Sequence, residues 1–389
     1  MMPMEIAPGI YDVGATDWIV RDFHGYKTER GASYNSYLIV DEKICLIDTV
    51  KACYADELLE KIRRVADPAK IDYVVVNHVE PDHAGALPEV LKAAPNAKFV
   101  ITMQGKNEAL RHYGDGFDFM VVKEGDKISL GSRELTFVTM PMLHWPDNMV
   151  TYCPQDGILF SNDAFGQHYA SSKRFDDEVD EYVLFYEAKK YFANILWPYA
   201  RLIGGALKKA SALDIKMIAP AHGVIWRSKI AQILEKYAAW GTGVNGKSVV
   251  IAYDTMWGGT EALARAMVEG AAAAGVKVQL MRMDRTPCST VAAELFEAGG
   301  LLVGSPTLNS GRMPTIGVML VYLKGLQPKG KKAAAFGPCG WAGGAQKDME
   351  AMLTAGGFDL QPGFNCKWRA CVDETEAARQ FAYEFAKNL

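Results

Sequence analysis

Apolar positions in the first 245 residues come in short blocks separated by polar turns. Residues 33–40 and 44–50 read as strands around the turn Asp41-Glu42-Lys43. Residues 54–65 carry helical spacing and charge. Residues 71–76 are almost wholly apolar, the mark of a strand covered on both faces, and run into Asn77-His78. The same reading predicts a helix over 87–94 and strands over 98–102, 135–140 and 149–153. Residues 179–212 read as mainly helical with a break near Pro198, and 216–219 as a strand just before His222. The mixture predicts two sheets with outer helices.

The rhythm changes after Gly241-Thr242-Gly243-Val244-Asn245-Gly246, a linker by its glycines. Strands over 248–253, 276–283, 301–304 and 333–336 alternate with helices over 260–274, 290–298, 316–323 and 345–353, and a helix over 374–387 closes the chain. Regular alternation is the pattern of a doubly wound parallel sheet. Two domains are therefore expected, 1–245 and 246–389, within the two or three that 389 residues allow.

Composition excludes more than it selects. The net charge of -4 gives no nucleic-acid footprint, and no apolar run is long enough to span a membrane. The N-terminus lacks a charged, apolar leader pattern. Seven irregularly spaced cysteines, without a Cys-x-x-Cys pair, fit reduced thiols in a cytoplasmic protein and exclude a built-in zinc ribbon or rubredoxin centre.

Chemistry concentrates at strand ends. His78-Val79-Glu80-Pro81-Asp82-His83 places four potential ligands in six residues directly after a buried-type strand. His144, Asp163 and His222 each follow a short apolar run as well, so four of the seven histidines share one pattern. Seven nitrogen and oxygen donors without cysteine are too many for one tetrahedral zinc and imply two metals. Imidazole with carboxylate suits iron, manganese or zinc, and the isolated Asp163 is the natural bridging carboxylate.

In the second part, Tyr253-Asp254-Thr255-Met256-Trp257-Gly258-Gly259-Thr260 joins a strand to a helix. Hydroxyls, glycines and a helix N-terminus there can cradle a phosphate, without the lysine of an ATP-binding loop or the full dinucleotide glycine pattern. Two later strand-end loops, 304–309 and 337–343, are placed to meet it at the carboxyl edge of the sheet.

The layout of His78, Asp82, His83, His144, Asp163 and His222 resembles the metallo-β-lactamase fold. Zinc hydrolases of that fold usually carry histidine at the position of Glu80, and glutamate there resembles the flavodiiron proteins. The segments 78–85, 143–147 and 161–166 match that family in wording, and the likeness spans the chain. The resemblance implies a metallo-β-lactamase-like αββα sandwich followed by a flavodoxin-like domain. It implies one iron on His78, Glu80 and His144 and a second on Asp82 and His222, with Asp163 bridging. His83 is either a ligand or turned away. An added anionic donor favours the higher oxidation state a redox iron needs. The second part resembles flavodoxin and implies FMN. Thr255, Met256, Trp257, Gly258, Gly259 and Thr260 would hold the phosphate. Pro306, Thr307, Leu308 and Asn309, with Pro338, Cys339, Gly340 and Trp341, would flank the ring.

The expected function is reduction of dioxygen to water, of nitric oxide to nitrous oxide, or of both. Electrons would come from an external donor, a rubredoxin or a reduced deazaflavin. No motif separates the two gases. The resemblance adds a head-to-tail homodimer, alone or as a dimer of dimers. The alternatives are a dinuclear zinc hydrolase fused to a flavodoxin-like module, which Glu80 opposes, and an electron carrier with a vestigial metal site. His24 and Tyr191 are candidates for the substrate pocket or for proton supply, and His168 for a place just outside the ligands. His112 is expected on the surface. The run Pro328-Lys329-Gly330-Lys331-Lys332 is expected to be a solvated charge cluster or a docking point for an acidic partner.

Overall fold

The computed structural model describes residues 2–389. Contacts divide the chain into two units. The first takes residues up to 21, 28–191 and 201–241; the second takes 22–27, 192–200 and 242–389.

The first unit is built on two sheets. Seven strands run in the order Met4–Ala7, Ile10–Asp12, Tyr37–Val40, Ile44–Ile47, Ile71–Val75, Lys98–Ile101 and Phe119–Val121. Pairing is antiparallel as far as Ile44–Ile47 and parallel beyond it. The second sheet has the order Lys127–Ser129, Glu134–Thr139, Met149–Cys153, Ile158–Asn162 and Met217–Pro220, and its last pair is parallel. Alternation along each strand decides which layer a side chain enters. Tyr37, Ile39, Cys45, Ile47 and Val75 point between the sheets, against Leu135, Phe137, Met149 and Phe160. Their neighbours Leu38, Leu46 and Val74 point the other way. There they pack on Leu58 and Ile62 of the helix Ala55–Arg63 and on Leu87 and Val90 of the helix Leu87–Ala93. This is the αββα sandwich that the resemblance implied.

The second unit is one parallel sheet. Its order is Lys277–Arg282, Gly246–Tyr253, Ala298–Gly304, Lys332–Cys339. Asp359–Leu360 and Phe364–Lys367 then both pair with Lys332–Cys339. In chain order this is 2-1-3-4-5, the flavodoxin arrangement. Helices Gly259–Ala273 and Val372–Lys387 cover one face through Leu263, Met267, Ala378 and Phe385. Helices Cys288–Glu297, Pro314–Leu326 and Ala345–Ala355 cover the other through Val291, Leu295, Met319, Leu323 and Met349. Both faces are buried, which is why Val249–Val250–Ile251–Ala252 reads as an unbroken apolar run.

The break near Pro198 is a change of helix type. The α-helix Glu181–Tyr191 passes into a π-helical stretch, Phe192–Leu196, and a 3-10 stretch, Trp197–Leu202. Residues 192–200 group with the second unit, where Asn194 donates to the Ser289 carbonyl and accepts from the Tyr322 hydroxyl. Lys331 is not part of a solvated run. It is buried and donates to the carbonyls of Val244 and Ala298 and to Asn245 Oδ1. Among the described residues no helix is long and apolar enough to cross a membrane.

Candidate metal centre and flavin loops

Each predicted donor lies just past a strand. His78 follows Ile71–Val75, His144 follows Glu134–Thr139, Asp163 follows Ile158–Asn162 and His222 follows Met217–Pro220. Asp82 and His83 sit in the one-turn helix Pro81–Ala84, which begins directly after Glu80. Rigid stems from both sheets thus bring seven side chains together.

Asp163 lies at the centre. Its Oδ2 is 3.7 Å from His78 Nε2 and 3.3 Å from His144 Nε2, and Glu80 Oε2 is 3.3 Å from each of those nitrogens. Its Oδ1 is 3.0 Å from His83 Nε2 and 3.4 Å from His222 Nε2. Asp82 completes that side, with Oδ1 3.3 Å from His83 and Oδ2 3.2 Å from His222. One carboxylate therefore faces two triads, one with each oxygen. His83, ambiguous in the sequence, points into the cluster.

The electrostatics are those of a centre that calls for positive charge. Burial opposes ionisation of Glu80, but the His144 and His78 contacts outweigh it and hold its carboxyl at about 2. Burial is likewise outweighed at Asp82 and Asp163, which lie below the ordinary carboxylate range because of the histidines around them. In return, and again against burial, His144 is raised to about 9 and His222 to about 10 by the carboxylates they face. His78 is raised well above the usual imidazole value, chiefly by Asp147 and Glu80, and His83 is raised by Asp82 and Asp163. Ionised carboxylates hold imidazole protons where a metal would displace them.

The donor set fits metal ions. Ligands at about 2.0–2.2 Å from a metal stand roughly 3 Å apart, as these atoms do. Asp82 Oδ1, His83 Nε2 and Asp163 Oδ2 are buried without a hydrogen-bond partner of good geometry, an arrangement a metal would satisfy.

Outer contacts aim these ligands. Asp147 places both carboxylate oxygens 3.0 Å from His78 Nδ1 and also accepts from the Val79 N–H at 2.8 Å. His222 Nδ1 is 2.7 Å from the Ser33 carbonyl, so Nε2 faces the cluster. Asp48 accepts from the Asn77 N–H and side chain and from Asn162 Nδ2, tying together the loops that carry His78 and Asp163. The Tyr191 hydroxyl donates to Asp163 Oδ1 at 2.8 Å, and burial with that carboxylate keeps the phenol protonated. His168 lies 5.0 Å from the His222 ring and 5.1 Å from Tyr191, buried and held neutral by desolvation. His24 and His112 are exposed, and His24 groups with the second unit. Asp147 stood inside a recognised motif without a role, and Asp48 carried no sequence signal.

The three loops of the second unit meet at the carboxyl edge of its sheet. Gly258, in the left-handed region at φ 80°, starts the helix Gly259–Ala273 and donates its N–H to Thr255 Oγ1 at 3.0 Å. Asp254 Oδ1 accepts from the Thr255 N–H at 2.7 Å, and Thr315 donates to Asp254 Oδ2. Thr260 Oγ1 is buried at that helix N-terminus without a hydrogen-bond partner. An orphaned hydroxyl beside free helix N–H groups fits a phosphate. Ser305, Thr307, Pro338, Cys339, Gln346 and Asn365 help line a cavity of about 480 Å³, a ligand-sized space. Trp257 and Trp341 are exposed at the loop tips, so neither is a core residue.

Comparison with known proteins agrees with this geometry. The family model described as ODP family beta lactamase matches residues 32–223, and that described as Flavodoxin matches residues 251–381. A protein named nitric oxide reductase from Moorella thermoacetica is 46% identical, over 100% of this chain and 99% of its own length. The crystal structure of the flavodiiron protein from Giardia intestinalis superposes with a TM-score of 0.98 at 38% identity, covering 100% of this chain and 96% of that one. Rubredoxin oxygen:oxidoreductase from Desulfovibrio gigas superposes with a TM-score of 0.96 at 39% identity, covering 100% and 98%. Relatives named as oxidoreductases that share both domains over the whole chain make this chain an oxidoreductase and set the hydrolase alternative aside. The chain belongs to the flavodiiron protein family.

Proposed function

We propose that this chain reduces nitric oxide to nitrous oxide and dioxygen to water at a paired iron centre, with electrons relayed through FMN from an external donor. The observation that carries this reading is the division of six donors into two triads by the two oxygens of Asp163. His78, Glu80 and His144 would hold one iron, and Asp82, His83 and His222 the other. Thr255–Thr260 would hold the FMN phosphate, and the loops at 306–309 and 338–341 would flank its ring.

When bound, the irons and the flavin supply the electrons, two from each, which matches the four that dioxygen needs and exceeds the two that a pair of nitric oxide molecules needs. The protein's own part is orientation and proton placement. Asp147 and the Ser33 carbonyl hold His78 and His222 with Nε2 facing inward. The Tyr191 hydroxyl, with its oxygen 2.8 Å from Asp163 Oδ1, keeps a proton next to where charge changes. The apolar inter-sheet layer beneath, with Val75, Phe160 and Ala219, keeps water from the stems of the ligand loops. A small rubredoxin-type donor and a head-to-tail homodimer complete the proposal.

The test is anaerobic reduction of iron- and FMN-loaded protein, followed by turnover with each gas in parallel. Consumption of both gases is expected. Negligible consumption of both refutes the reading.

A further inference from the structure

The loop Pro338–Trp341 does not stand alone. Trp341 is 84% exposed, and its indole lies against that of Trp368, itself 66% exposed, with ring centroids 5.1 Å apart and planes 36° apart. Trp368 follows the edge strand Phe364–Lys367, which pairs in parallel with Lys332–Cys339 through Cys339 and Lys367. The Trp368 N–H donates to the Cys339 carbonyl at 3.0 Å, and Lys367 Nζ donates to the Trp341 carbonyl at 3.0 Å. A methyl group added at Gly340 would come within 2.8 Å of the Trp368 ring, so the residue between Cys339 and Trp341 must be glycine for the indole to lie there. The Trp368 carbonyl also lies 3.5 Å from where a Cβ of Gly259 would stand, at the start of the helix behind Thr255–Gly258. Trp368 is thus hydrogen-bonded to the ring loop and lies near the start of the helix that follows the phosphate loop. Both tryptophans are held in the left-handed region, at φ 33° and 57°, an unfavourable backbone for bulky side chains.

We propose that Trp368 is a positioning residue for the flavin: its indole braces Trp341 against the ring, and its N–H holds the ring loop at Cys339. The inference rests on the reading of Pro338–Trp341 as a ring-flanking loop. An aromatic pair of this geometry corresponds to about two- to tenfold in an equilibrium constant. Removing the Trp368 indole frees Trp341 to leave the ring, so FMN binds more weakly and is less quenched.

The experiment measures FMN dissociation constant, flavin fluorescence and midpoint potential for wild type, Trp368→Ala, Trp368→Phe and Trp341→Ala, each reconstituted from flavin-free protein. Expected are about two- to tenfold weaker binding, brighter flavin and a shifted potential in Trp368→Ala, with most of the change restored in Trp368→Phe. Iron content stays at the wild-type level. Trp341→Ala separates the two readings. If it perturbs the flavin and Trp368→Ala does not, the bracing role is wrong and the loop assignment stands. If Trp341→Ala leaves the flavin unchanged, the loop assignment fails and the proposal falls with it. Equal losses in Trp368→Ala and Trp368→Phe would also overturn the role given to the ring.

Discussion

Replacing Asp147 with asparagine tests how the metal ligands are aimed. Asp147 Oδ2 accepts from both the Val79 N–H, at 2.8 Å, and His78 Nδ1, at 3.0 Å, while Oδ1 is a further 3.0 Å from the same nitrogen. An asparagine oxygen kept at the Val79 N–H still reaches His78 Nδ1, but without the carboxylate's charge. Its amide nitrogen then takes the place of Oδ1, 3.0 Å from the same Nδ1, so a donor faces a donor where a charged oxygen accepted. The imidazole proton is held less firmly on Nδ1, and the tautomer with its proton on Nε2, the nitrogen that faces Glu80 and Asp163, gains population. That tautomer cannot ligate through Nε2. Loss of such outer partners costs about 10- to 100-fold in metal affinity or activity, or about 1.4–2.7 kcal/mol. The assay is competition of the purified protein with a chromogenic iron chelator, read beside turnover with nitric oxide. Asp147→Asn is expected to lose iron about 10- to 100-fold more readily, with FMN content unchanged. Iron affinity and turnover both within about twofold of wild type would refute the tautomer argument.

Other consequences follow from single contacts. Thr260→Val removes a buried hydroxyl that has no partner in the protein, so flavin-free protein should hold or gain up to about 1 kcal/mol in denaturant unfolding, while FMN affinity drops. A loss of stability without a loss of FMN affinity would contradict the phosphate assignment. Tyr191→Phe deletes a donor to a buried carboxylate and should destabilise metal-free protein by about 1.5–3 kcal/mol, measured in urea. Lys331 is pushed down to about 7 by burial. Its unfolded value is about 10.4, so at this residue the unfolded chain binds the extra proton between these values, and the Lys331 contribution to stability rises with pH across that window, opposite in sign to the raised His144 and His222. The contribution is complete near the upper end and lost as pH falls to about 7; the stability difference between wild type and Lys331→Met should carry that slope, checked by thermal melts of both across the range.

Strand-end histidines were legible because a ligand loop must leave a rigid strand, and a buried parallel strand writes itself as an apolar run. Ile71–Val75 before His78 and Met217–Pro220 before His222 are the clearest cases. The flavodoxin half was legible for the same reason. What escaped depended on contacts between residues distant in sequence. The helix Met103–Tyr113 buries only Gly105 and Ala109, so it has no apolar stripe to read. Strands of three or four residues, such as Ile10–Asp12 and Ala15–Asp17, are too short to show alternation. Lys331 looked like part of a charge run because its acceptors at Val244, Asn245 and Ala298 lie elsewhere in the chain. The grouping of 22–27 and 192–200 with the second unit depends on partners such as Ser289 and Tyr322 that no local pattern reveals. Asp147 and Trp368 belong to this class as well: the residue type was visible, and its task was set by what lies opposite.

The central claim is a paired iron centre bridged by Asp163. The most direct measurement is iron per chain, together with nitrous oxide formed when anaerobically reduced protein meets nitric oxide, in wild type and in Asp163→Asn. Two irons per chain and nitrous oxide are expected from the wild type, with both iron pairing and product lost in the variant. Zinc in place of iron with no nitrous oxide, or a variant that keeps its irons and its yield, would contradict it.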